Sequence, residues 1–404
     1  MKTPCVTFLI SILFIMFTIS PIFGEEDNLT TMQVLNILNT TKNFQESDLS
    51  GLSIFPLDFE RCNLHKANLE RTFLFIAQFD DANLEGASLR DMLFTERDIL
   101  EKSGQIEKID LNLESINTSN IKETADRHED QLLNLLLLMD VNHEIGVSFR
   151  NADLRASSLN KAILVVASFK NANLKKANFD NSVLLFADFR KADLQGANLN
   201  NINMGIAYFD EANLKEAILT NVDLHQISMI KANLEGADLR NTRLARTNFT
   251  EANLTKAVIR ARFLQKTIFN NSILREADLE GSGIIAGCYC DFRNADLTMA
   301  NLMKTTLHNA NFQDACLKGA NLKQADLQKA NFKGANLQEA NLSGANLRKV
   351  IFDGADLQGA NLLYVENITI KQLRTAHTLY QTKLPDKLVN RMHKKYPHLF
   401  KVEK

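Results

Sequence analysis

The residues with reactive side chains in this chain are the pair Cys288-x-Cys290, eight scattered histidines and a dense series of carboxylates. Two thiols one residue apart suit a metal or a disulfide. A metal needs further ligands at matching spacing, and no His or carboxylate cluster supplies them. A disulfide needs an oxidising compartment. The third reading, and the one taken, is core packing: Cys62 and Cys290 stand where a small inner residue belongs and pack like Ala or Ser. A lone His such as His225 reads as solvated surface. Asp and Glu recur so regularly that their close pairing follows from the pattern and says little about acid–base work. The Asn-Leu-Thr and Asn-Leu-Ser sequons at Asn253 and Asn341 have the same origin. No phosphate loop, nucleophile elbow or HExxH helix occurs. The expectation is no catalytic residue, no metal and no cofactor, hence no enzyme.

The pattern itself is clearest from residue 309 to 363: NANFQ DACLK GANLK QADLQ KANFK GANLQ EANLS GANLR KVIFD GADLQ GANLL. Ala, then Asn or Asp, then Leu or Phe returns every five residues. A helix or a strand would scatter these residues over all its faces. They stay together only if the chain turns a corner every five residues, with the large residue and Ala inside. Asn and Asp suit the residue between them, because their short side chains bond nearby backbone at a turn.

Phe adds a longer period. It takes the central position at Phe59, Phe79, Phe149, Phe169, Phe189, Phe209, Phe249, Phe269, Phe292, Phe312, Phe332 and Phe352, with Met229 filling one gap. The interval is twenty, so four pentapeptides make one coil and the rings stack along one inner side. The interval from Phe79 to Phe149 is instead one coil plus about fifty residues, and Phe269 to Phe292 is one coil plus three. At roughly 4.8 Å per coil the rod would be about 65 Å long.

This periodicity resembles the pentapeptide-repeat family, whose fold is a right-handed, quadrilateral parallel β-helix. The resemblance implies an all-β solenoid with a helical insertion, terminal helical caps and a role in protein interaction. Relatives in the family present an acidic, DNA-like rod to DNA gyrase, which makes a topoisomerase-binding DNA mimic the alternative. Near-neutral charge (formal net −2) counts against that reading, as do Lys175, Lys176, Arg190, Lys191, Arg240, Arg243 and Arg246 along the repeats. No nucleic-acid partner is expected.

The chain then divides as follows. Residues 1–24, with Lys2 before an apolar run and small residues after it, form a signal peptide and imply export to the periplasm or beyond. The alternative is an uncleaved membrane anchor through residues 6–22. Residues 25–43 carry a capping helix with Thr30 or Thr31 as its N-cap. Repeats fill 44–94, an insertion with a helix takes 95–147, repeats resume over 148–363, and 364–404 form a helical cap with a basic, solvated tail. Within that cap, Leu373, Ala376, Leu379 and Tyr380 have helical spacing.

Sorting outward positions by side isolates one apolar stripe on the side just before Phe: Phe55, Phe73, Phe75, Ile76, Leu93, Ile163, Val165, Val166, Val183, Leu185, Phe186 and Ile206. Exposed, it would exceed what soluble monomers tolerate. The insertion leaves from this side and contains the apolar residues 132–139, so the expectation is that this segment covers the stripe. The rival reading is an open docking surface for an unknown protein partner or for a second copy in a homodimer.

Overall fold

The corner is the unit from which this fold is built. Ala330 N–H donates to the Leu327 carbonyl at 2.9 Å, closing a four-residue turn whose third residue, Lys329, has φ 59°. A positive φ at that place defines a type II turn. The same left-handed corner recurs every five residues, most often carried by Gly, Lys, Asn or Glu. Asn331 then opens the next side. Its Oδ1 accepts from Lys333 N–H at 3.1 Å, and its Nδ2 donates to Asn311 Oδ1 in the coil below at 3.1 Å.

The computed structural model describes residues 29, 31–54, 58–74, 77–90, 92, 147–164, 166–283 and 288–401. In these residues each side of a coil pairs in parallel with the side twenty positions on, as in Asn311 with Asn331 and Asn331 with Ile351. Only β1 (Ser53–Ile54) and β2 (Phe73–Leu74) are longer than one residue, and they pair Ser53 with Phe73 and Ile54 with Leu74. Four short sides and four corners therefore make a turn. Leu, Phe and Ala fill the interior, almost all of them fully buried.

The Phe rings form the axis of that interior. Phe292 lies 4.8 Å from Phe269 and 4.7 Å from Phe312, all nearly parallel. Across the long interval the register jumps by seventy: Gln78 pairs with Ser148, Asn83 with Asp153 and Ser88 with Ser158. The rings of Phe79 and Phe149 stack at 5.1 Å over this seam, and Ile163 N–H reaches the Met92 carbonyl at 2.9 Å. The three-residue excess is absorbed between Ile268 and its partner Asp291.

Helix α1 (Thr31–Asn39) buries Val34 at the first coil, and Leu29 N–H bonds the Asp48 carbonyl. At the other end the ladder runs further than the five-residue phase. Asp356 pairs with Thr378 and Asn361 with Lys383, at intervals of twenty-two. Residues 374–385 are thus coil and not the helix their spacing suggested. The two extra residues per turn blur the five-residue phase, while Leu379 still fills the buried Leu slot. The helices that do form there are α2 (Ile370–Leu373), with a capping box from Thr369 and Gln372, and α3 (Asp386–Lys395), which buries Leu388 and Met392.

The cysteines correct a second expectation. Cys288 and Cys290 are both buried, but they are joined as a disulfide, with Cα atoms 5.2 Å apart. Tyr289 between them turns left-handed, with φ 47°, and that bend brings the two sulfurs together. Cys62 remains a free inner thiol, and burial pushes its pKa up to about 11, far from the thiolate a nucleophile needs.

On the outside, arginines fold back onto the Asp two residues before them. Arg190 meets Asp188 at 2.7 Å and Arg240 meets Asp238 at 2.6 Å. Burial alone would push both carboxyls up, but the side-chain and backbone hydrogen bonds from Arg190 and Arg240 more than offset it and hold them low. A carboxylate with a lowered folded pKa stabilises the fold above its ordinary pKa of 3.8, and that contribution is lost as the pH falls through the folded value. A double Arg190→Gln, Arg240→Gln variant should therefore be less stable than the parent at neutral pH. Denaturant titrations at stepped pH should show the gap closing below about pH 4.

Candidate protein-docking surface

The side just before Phe carries β1 and β2 in the first coils and continues past the seam. Ile163 sits on Met92 and pairs with Val183, which pairs with Asn203. No bridge joins Asn203 to Asp223, and the pairing resumes at Asp223 with Arg243. The apolar stripe ends at that break.

Six stripe residues are described with their side chains: Ile163, Val166, Val183, Leu185, Phe186 and Ile206. All are at least partly open to solvent, Ile206 at 38%. None belongs to the apolar core or to the side chains packed against it. Phe73 lies in β2. Phe55, Phe75, Ile76, Leu93 and Val165 lie outside the described residues, as do the signal segment 1–24 and residues 132–139 expected to cover the stripe.

Two residues of the stripe occupy corners. Val166 and Phe186 both have φ 60°, the place taken by Asn171, Lys176, Asn181 and Lys191 on neighbouring corners. Among the described residues Val166 is the one β-branched side chain in a left-handed corner, where an L-residue costs about 1–2 kcal/mol and β-branching adds crowding. One coil further on, Gly205 takes φ 46°, and a Cβ there would come within 2.8 Å of Leu185 Cδ2. Glycine lets Leu185 lie flat over the next corner. The stripe was legible as apolar positions, but its corners were not. The signal was available, since Val166 and Phe186 stand where most repeats place Asn, Lys, Glu or Gly.

His225, at the upper edge of the break, is partly buried. Burial, with Arg243 nearby, lowers its pKa, so it is held neutral. Its Nδ1 has no hydrogen-bond partner. Among the described residues no group of three or more His, Cys, Asp or Glu gathers as a metal would require.

A stack of five-residue sides with an apolar outer stripe defines a solenoid scaffold. Eight copies of the profile described as pentapeptide repeats match the chain, over residues 148–261 and 289–362. The chain belongs to the pentapeptide-repeat family. HetL of the cyanobacterium Nostoc sp., a pentapeptide repeat protein involved in heterocyst differentiation regulation, is 33% identical over 54% of this chain and 89% of its own, with a TM-score of 0.24. A pentapeptide repeat protein of the Arabidopsis thaliana thylakoid lumen is 32% identical over 27% of this chain and 69% of its own, with a TM-score of 0.13. QnrB1, a plasmid-mediated fluoroquinolone resistance protein, is 19% identical over 58% of this chain and 95% of its own, with a TM-score of 0.24. No match is found among the curated proteins.

Proposed function

We propose that the protein is an exported, non-enzymatic scaffold whose apolar stripe binds a protein presenting an apolar helix or strand. The observation that carries this reading is Val166 at φ 60°. An exposed corner gains nothing in the isolated fold from a β-branched residue there. Strain of this kind persists where the side chain is needed for something else. The leader-like residues 1–24 support export, and the stripe's straight run from coil to coil suits an extended or helical partner.

The two halves of the proposal have separate tests. Fractionation should find a mature form lacking about the first 24 residues outside the cytoplasm; a full-length form in the cytoplasm would overturn export. Val166→Asn should raise the stability of the isolated protein by about 1 kcal/mol while weakening capture of the partner. A photo-crosslinking side chain at position 186 should join that partner. A crosslink to residues 132–139 would instead make the stripe an internal packing face, and one to a second copy would make it a dimer interface. Inhibition of purified gyrase at stoichiometric concentration would favour the DNA-mimic reading.

A further inference from the structure

Positive charge gathers at the C-terminal end of the described chain. Residues 370–401 hold eight Lys or Arg against one Asp, formal +7, in a chain whose net charge is −2. The positive end is also the concave one. A cleft of about 710 Å³ opens between α2 and α3, lined by Lys371, Arg374, Arg391, Lys394, Lys395 and Tyr396 among others. That volume falls within the range of about 300–1,000 Å³ typical of small-ligand sites.

The cations in this cleft differ from the paired arginines of the shaft. Along the shaft, Arg155, Arg190, Arg240 and Arg293 each lie on an Asp at 2.6–2.7 Å. Among the described residues none of the five cleft cations has a carboxylate within 4 Å, and the contact recorded there is Lys395 Nζ over the Tyr396 ring at 5.7 Å. Part of the clustering serves the helices, because Lys394 and Lys395 occupy the last turn of α3 and Lys371 that of α2, where cations complement the helix end. That account leaves out Arg391, a full turn before the end of α3. It also leaves Arg374 and Arg391 unpaired beside the same lysines. Two guanidinium forks flanked by three ammonium groups match the several oxygens and multiple charge of phosphate better than a single carboxylate.

We propose that the C-terminal cleft binds a phosphate-bearing anion, either a free phosphorylated molecule or an anionic lipid headgroup. Two assays on the full chain test this: calorimetric titration with sodium tripolyphosphate, and co-sedimentation with phosphatidylglycerol vesicles. Saturable one-to-one binding of tripolyphosphate assigns a free ligand, and vesicle binding alone assigns the headgroup; either supports the cleft. Each cation removed should cost roughly fivefold in affinity, so Arg374→Glu with Arg391→Glu should cost about 25-fold or more. Arg240→Gln, on the shaft, should leave binding unchanged. Both cleft arginines are exposed, so the thermal midpoint should hold; Lys371→Gln with Lys394→Gln serves as a second, milder pair. Failure to bind either probe, equal binding by the reversed variant, or tighter binding to duplex DNA than to both probes would overturn the proposal.

Discussion

Phe292→Ala should be among the most damaging single substitutions in the chain, lowering stability by about 3–5 kcal/mol. The ring is fully buried and stacks on Phe269 and Phe312 at 4.8 and 4.7 Å, so truncation opens a cavity and removes two aromatic contacts at once. Each coil touches only its neighbours, so the damage concentrates at one junction of a quasi-one-dimensional stack. Denaturant unfolding followed by circular dichroism should show both the loss and a split of one transition into two. Phe186→Ala, outside the stack, should move the midpoint by no more than about 0.5 kcal/mol. Similar losses at the two positions would mean that the ring column is not the core.

Overfilling the corner should cost less but discriminate more sharply. Ala330 is fully buried beneath Val350 and above Ala310, while Lys333, three residues on, is exposed. Ala330→Leu adds three carbons where the facing coils leave no room, a penalty of about 1–3 kcal/mol. Lys333→Leu should lie within about 0.5 kcal/mol of the parent. Equal effects in the same unfolding assay would overturn the inward and outward assignment.

The coil was legible because its code is redundant. Phe312, Phe332 and Phe352 announce the twenty-residue turn, and the departures from it at Phe149 and Phe292 locate the two places where the ladder changes register. Asn331 was readable too, since a short amide beside a turn has few other uses. What the sequence hid depends on backbone torsion and on approach in space. Nothing local says that the residue before Ala must turn left-handed, because Lys329 and Asn309 do so as readily as Gly319. Cys290 looked like packing because it alone fits an inner slot, and its union with Cys288 depends on how three surplus residues are stored. The last coil escaped because Thr378 and Lys383 lie two residues out of step. In the candidate stripe, the apolar residues were found by sorting sides, whereas the strain at Val166 needed the corner geometry. The basic cleft was hidden because Lys371 and Arg391 are twenty residues apart on different helices.

The seam at Gln78 and Ser148 also bears on the order of assembly. Elsewhere a coil closes on its neighbour after about twenty residues, so one formed coil templates the next cheaply. Joining Phe79 to Phe149 requires a loop of about seventy, and the added closure entropy is about 1 kcal/mol. The chain therefore has a kinetic boundary that the finished ladder does not display. Residues 148–383 can zip from any starting coil, whereas the coils of 44–92 must wait for a long-range encounter and are the ones that part first when the rod comes undone.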